Sequence, residues 1–458
     1  MSRYWTLLYL IVLLFGCGKE GEEVPVDTIS PEVKQSQPEE GAVAVPLDAS
    51  VTVTYSEDVK LGKAHKITVN NQTVEATVKG NELIIYTVLE AYTDYTVNIS
   101  ATSILDLAYN YAPAFTFSFS TKPETVVEIN PNLAVVNPSV QAVNVYNFLK
   151  ENYGAKIISS TIANVSWNTN EAEWIHQHTG KYPAMHTFDY LHLPSSPANW
   201  IDYSDTQVAE DWWNNNGIVS ACWHWNVPTY QGSGSYTSTA SETTFSAANA
   251  LEEGTWENTI LKADLAEMAG YLKLLQAKNI PVVWRPLHEA AGNIYEYSGG
   301  SAWFWWGADG AEAFKNLWKY IFDYFESEGL NNLIWVWTTQ TKDSDFYPGD
   351  EHVDIIGRDI YNVSDASAIS SQFSSVQEEY PTKMVTLSEF GSVAPISEQW
   401  SEGAKWSYFM PWYDYERTNN TSEPGFASTD HVHANAGWWQ DAFSQSYVIT
   451  RDQMPSLK

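Results

Sequence analysis

The sequence predicts an α/β protein, a (β/α)8 (TIM) barrel preceded by an all-β sandwich, and three observations predict it. Residues 29 to 122 alternate apolar and polar positions, as in "SVTVTYSEDV" and "FTFSFSTK", with Asn, Gly and Asp at the breaks. Residues 123 to 458 instead alternate short apolar runs with segments whose apolar residues recur at three and four. The apolar runs number eight, the strand count of a closed parallel barrel.

Residues 1 to 16 hold Arg3 and then "YWTLLYLIVLLFG", an apolar stretch of 13 residues that is too short to span a bilayer and is laid out as a secretory signal. "LLFGC" resembles a bacterial lipobox, which implies cleavage before Cys17 and acylation of that cysteine. Residues 17 to 28 read as an anchor linker. The "GKEGEE" within them resembles the signal that exports lipoproteins of Bacteroidetes-type bacteria, so the expectation is an outer-membrane lipoprotein exposed at the cell surface, with inner-leaflet attachment as the alternative. Cys222 is the only other cysteine. No intramolecular disulfide then forms in a chain acylated at Cys17, and a cysteine-ligated zinc site is excluded.

The period-2 segment, residues 29 to 122, is the β-sandwich. Its opening, "ISPEVKQSQPEEGAVAVPLDASVTVTYSEDV", resembles a family of bacterial Ig-like domains, which implies a spacer between a membrane anchor and an enzyme.

The barrel strands are expected at "KIISSTIA" (156 to 163), "PAMHTFDYL" (183 to 191), "GIVSACWHW" (217 to 225), "PVVWRPLHE" (281 to 289), "NLIWVWTT" (332 to 339), "VDIIGRDIY" (353 to 361), "MVTLSEF" (384 to 390) and "WSYFMPWY" (406 to 413). Helices lie between several of them, as in "ENTILKADLAEMAGYLKLLQAKN", where Leu261, Leu265, Met268 and Leu272 form one apolar face. In such a barrel the chemistry sits at the carboxyl ends of the strands, and His224, Glu289, Tyr361, Glu389 and Trp412 all fall there.

Glu289 closes the fourth strand and Glu389 the seventh, so one barrel mouth brings together two carboxylates that are far apart in the chain. Such a pair suits glycoside hydrolysis, in which one carboxyl protonates the leaving oxygen and the other attacks or activates water. Arg285, four residues before Glu289 and so of the same side-chain parity on a strand, is expected beneath the carboxylates, keeping one of them ionised. Composition agrees with a glycan partner. A formal charge of −32 repels nucleic acid, and among 21 Trp and 27 Tyr most fill the core while a minority are free to stack on sugar faces in a cleft.

"WRPLHE", "WFWWG", "NLIWVWTTQ", "FYPGDEHVDIIGRDIYN" and "LSEFG", in that order, resemble glycoside hydrolase family 26, whose best known members are endo-β-1,4-mannanases on a (β/α)8 barrel. The resemblance implies that Glu289 is the general acid/base and Glu389 the nucleophile of a retaining, cofactor-free and metal-free enzyme. It makes His288 and His224 ligands of the sugar at the cleavage point, Tyr361 the hydrogen-bond donor to the nucleophile, Trp412 the platform under the reacting sugar and Trp303 the aromatic on the leaving-group side. Two departures stand out. Thirteen residues, 290 to 302, separate Glu289 from "WFWW", which leaves Trp305 or Tyr295 as alternatives to Trp303. Tyr413 follows Trp412 where some mannanases carry an arginine that grips the next sugar.

The expected function is endo-hydrolysis of mannan, galactomannan or glucomannan by a monomer held at the outer membrane by its lipid. The alternatives are the same chemistry on β-glucan or β-1,3-xylan, and a surface glycan-binding protein without catalysis. "HEAAG" lacks the second histidine of a zinc protease, "KDSDFYPGDEHVD" reads as a solvated acidic loop, and "HVH" at 431 to 433 is expected on the surface at the start of a helix.

Overall fold

The computed structural model describes residues 27–90, 93–121, 128–164, 167–191 and 201–458, so the signal segment and Cys17 lie outside the described residues. The chain divides into two compact units at residue 126.

In the first unit, Val33–Gln37, Val51–Tyr55, Glu82–Tyr86 and Glu75–Lys79 form one antiparallel sheet in that spatial order. Phe115–Ser120, Asp94–Ile99, Ile67–Val69 and Gln72–Thr73 form a second. The alternation that marks these segments is burial: Val51, Val53 and Tyr55 face inward while Thr52 and Thr54 do not. Val53, Leu83, Ile85, Val97, Phe117 and Phe119 fill the space between the sheets.

The second unit is the barrel. Its strands are β1 (Ile157–Ile162), β2 (Met185–Asp189), β3 (Ile218–Trp223), β4 (Val282–Pro286), β5 (Leu333–Thr339), β6 (Ile355–Tyr361), β7 (Met384–Gly391) and β8 (Tyr408–Pro411). Each pairs in parallel with the next, and β8 pairs with β1 to close the ring. Seven of the eight fall inside the expected segments and β7 runs one residue past its own, because strands buried on both faces read as continuous apolar runs. The longest outer helices span Trp256–Ala277, Ala311–Ser327 and Ala366–Glu379. Thr255 caps the first and Asp365 the third by accepting backbone N–H groups. Among the described residues, eleven of the twelve largest fully buried side chains are tryptophans, so core filling takes a large share of this residue type.

Candidate active site

Strand β4 stops at Pro286, and the chain then folds sharply at "LHE": Leu287 and Glu289 have φ of 49° and 51°, the left-handed region that side chains avoid at a cost on the order of 1 to 3 kcal/mol each. The expectation that Arg285 and Glu289 share strand parity is therefore wrong, since Glu289 lies beyond the strand. The turn is held from outside. The Trp306 indole N–H donates to the His288 carbonyl at 2.9 Å, and Gly307 sits so close that a Cβ there would stand 1.7 Å from the carbonyl oxygen of Ala290. Only glycine permits that approach.

Arg285 does lie among carboxylates, but its partners come from other strands. Its guanidinium donates to Glu389 Oε2 at 2.9 Å, to Thr338 Oγ1 at 2.9 Å and to Asp359 Oδ2. The Tyr361 hydroxyl donates to the other oxygen of Glu389 at 2.7 Å. A bulge in β7 makes this possible: Arg358 pairs with Leu387 but Asp359 with Glu389, which leaves Ser388 as the extra residue. Two successive side chains then act within the barrel, Ser388 donating to Asp359 Oδ1 at 2.6 Å while Glu389 meets Arg285 and Tyr361. Gly357 makes room, since a Cβ there would lie 2.4 Å from Ser388 Oγ.

Asp359 and Ser388 are functional neighbours that sequence reasoning missed. A signal for Asp359 existed: it precedes Tyr361 by two on one strand and so shares its face.

Glu289 hydrogen-bonds Asp359. Burial, followed by the charges of Asp359 and Glu389, holds its proton well above the usual carboxylate range. Asp359 is itself pushed up to about 6, by burial first and by Glu389, against the pull of Arg285. Glu289 is thus built to keep a proton, while Glu389 accepts a bond on each oxygen.

His288 is buried, and that burial, with Arg285 and His224 nearby, keeps its imidazole neutral. Its ring lies 4.5 Å from that of His224. Asp189 accepts from His224 Nδ1 at 2.8 Å, and although burial opposes a charge on His224, the carboxylate outweighs it and raises the pKa. The rings of His224 and Trp412 are 5.5 Å apart, and those of Trp412 and Tyr413 5.2 Å apart.

A cavity of about 950 Å³ opens from Glu289 and Glu389 along the β4 to β7 side, lined also by Trp303, Gln340, Arg358 and Tyr361. Trp303, 37% exposed, borders it. Trp305 is fully buried, its indole N–H donating to the Trp225 carbonyl at 2.8 Å, and Tyr295 turns to Asp345. The thirteen-residue excursion brings Trp303 back because it closes on itself: Asn293 exchanges hydrogen bonds with Ser301, and Gly300 packs where a Cβ would meet the Asn293 carbonyl at 2.0 Å. On the β8 and β3 side, Trp412 and His224 stand together.

Two further expectations need correction. In the half-buried "HVH" the His431 side chain is not on the surface but buried against Glu171 at 3.1 Å, alongside Arg417, and the helix begins later, at Ala436. The cysteine count does not by itself exclude a cysteine-ligated metal site, since Cys222 lies with Asp189 and His224 in one cluster of donor atoms.

Residues 135–452 match the model of glycosyl hydrolase family 26, and residues 27–121 that of a bacterial Ig-like domain. The chain is 33% identical over 342 residues to mannan endo-1,4-beta-mannosidase B of Piromyces sp, covering 72% of this chain and 55% of that protein. It spans about half the length of the curated relatives it matches. Among solved structures, the GH26 domain of an endo-beta-mannanase/endo-beta-glucanase from Prevotella bryantii is 38% identical with a TM-score of 0.65, covering 71% of this chain and 99% of that one. A beta-mannanase from a symbiotic protist of the termite Reticulitermes speratus, complexed with gluco-manno-oligosaccharide, is 35% identical with a TM-score of 0.60, covering 72% and 99%.

Proposed function

The chain belongs to glycosyl hydrolase family 26, and from that premise we propose that it cuts internal β-1,4-mannosidic bonds of mannan, galactomannan or glucomannan with retention of configuration. One observation carries the reading: Glu289 and Glu389 line one cavity in opposite environments, the first holding its proton and the second bonded by Arg285 and Tyr361. In this reading Glu289 gives its proton to the leaving oxygen while Glu389 attacks the anomeric carbon. Glu289, then ionised, takes a proton from the water that releases the sugar. Neutral His288 and Asp189-held His224 bind hydroxyls of the reacting sugar, Trp412 lies under it, and Trp303 stacks on the leaving-group side. The test is incubation with purified mannans, β-glucan and β-1,3-xylan, with the first anomer released followed by NMR. Release of β-anomer oligosaccharides from the mannans is expected, and turnover confined to glucan or xylan would replace the substrate class.

The protonation scheme has a sign. Activity needs Glu289 protonated, so the rate on polysaccharide falls as pH rises through its folded-state pKa. Asp359→Asn removes the negative charge beside Glu289 while keeping an acceptor oxygen, so that fall is expected at lower pH than in wild type. An unmoved alkaline limb of kcat/KM would separate Asp359 from the acid.

Trp412→Ala is expected to lower kcat/KM by roughly tenfold or more, because stacking beneath the reacting sugar positions it in the transition state. Tyr413→Ala should change the rate less and the preference among linear mannan, galactose-branched mannan and glucomannan more, since contacts one sugar away hold ground and transition states alike. The reverse pattern in those three substrates would exchange the two roles.

We also propose that the enzyme acts as a monomer anchored to the outer membrane through lipid on Cys17. Cys17→Ser is expected to move it from the membrane to the soluble fraction; retention in the membrane would end the lipid reading.

A further inference from the structure

Three donors of different chemistry converge on the β2 and β3 side of the barrel mouth. Asp189 ends β2, Cys222 is the penultimate residue of β3, and the parallel register sets the two side by side. His224 follows β3 by one residue, and its ring turns back so that Nδ1 lies 2.8 Å from Asp189 Oδ2. One carboxylate oxygen, the thiol sulfur and one ring nitrogen all lie within 4.8 Å of one another. Cys222 is fully buried and His224 reaches solvent with 13% of its side chain, so an ion arriving from the cleft meets the imidazole first. Cys222 packs in a small cluster with Ile162 and Met410, and Trp412 and Tyr413 lie against that cluster.

Metal–donor bonds of about 2.0 to 2.3 Å in a tetrahedral site put the donors roughly 3.4 Å apart, so this cluster needs movements of only about an ångström or less. A thiol, an imidazole and one carboxylate suit borderline and soft ions, whereas magnesium and calcium want oxygen alone. We propose that Asp189, Cys222 and His224 form a binding site for a divalent cation of the zinc and cadmium class, and that its occupation reversibly blocks the sugar-binding cleft.

Binding breaks the S–H bond of Cys222, sends that proton to solvent and forms a metal–thiolate bond, with no change of oxidation state. In the neutral imidazole the proton moves from Nδ1 to Nε2 as Nδ1 takes the metal. His224 then loses its bond to Asp189 and presents a donor where it presented an acceptor, and one net positive charge, the ion's two less the proton released, is gained beside the platform residue Trp412. A fourth coordination position is left for water or a sugar hydroxyl.

The blocking half of the proposal rests on the reading of the cleft given above, whereas the binding half does not, and two measurements keep them apart. Titration of the full chain with Co²⁺ is expected to give the near-ultraviolet charge-transfer band of cobalt–thiolate together with the visible bands of tetrahedral cobalt, and Cys222→Ser, which keeps Cys17, to lose the first. In mannan hydrolysis, Cd²⁺ should inhibit wild type and be reversed by a chelator, while Cys222→Ser turns over without metal and needs at least about tenfold more Cd²⁺ for the same inhibition. Magnesium should not inhibit either. A cobalt spectrum without the thiolate band, or equal Cd²⁺ sensitivity in the two proteins, overturns the site. A thiolate band in a protein that hydrolyses none of the β-glycans leaves the site standing and removes the reading of the reaction instead.

Discussion

Replacing Glu389 by alanine is expected to lower mannan turnover by at least about ten-thousand-fold, because it deletes the group proposed to form the covalent glycosyl intermediate. Polysaccharide should still bind, since the stacking proposed for Trp303 and Trp412 is made by their rings and not by the Glu389 carboxylate. The fold should survive as well. Arg285 keeps Asp359 and Thr338 as partners, so the substitution leaves no unpaired buried charge, the usual route to a large loss of stability. Azide supplies the decisive measurement. With an activated aryl mannoside it should enter the space left by the carboxylate, restore turnover and yield a glycosyl azide of inverted configuration. Full activity without azide would remove Glu389 from the mechanism.

How far such a site is legible in one sequence depends on what kind of contact makes it. The eight strands were readable because burial on both faces writes itself into consecutive residues, as in "NLIWVWTT", and the position of Glu389 followed from that. The bulge at Ser388 was not readable. It exists only relative to the register of β6, and without it Ser388 and Glu389 would point to opposite faces. Glu289 shows the same limit, for the left-handed turn that lifts it off β4 is stabilised by Trp306 and Gly307, residues on the far side of the thirteen-residue excursion. His431 looked like a surface histidine because its partner Glu171 lies 260 positions away in sequence. Arg285 was placed correctly for a wrong reason: its partners are one, two and three strands on, not four residues on.

Glu289→Gln separates the two halves of the proposed reaction. Glutamine is nearly isosteric and can still bond to Asp359, so the turn at Leu287 to Glu289 should keep its geometry while the transferable proton is lost. On polysaccharide, whose leaving group is a sugar alkoxide that needs that proton, a loss of about 10² to 10⁴-fold is expected. On an aryl mannoside with an acidic phenol as leaving group, the first step should be nearly as fast as in wild type. The second step then becomes limiting, because nothing activates the water that frees the sugar from Glu389, so a burst of phenol followed by slow turnover should appear, with a low KM. The pH profile should change in step: the alkaline fall seen with wild type disappears from the first step when position 289 no longer titrates. Equal losses on the two substrates, with no burst, would mean that residue 289 serves the shape of the site rather than proton transfer. The acid would then have to be sought in Asp359, the only other carboxyl that hydrogen-bonds Arg285 together with Glu389 among the described residues.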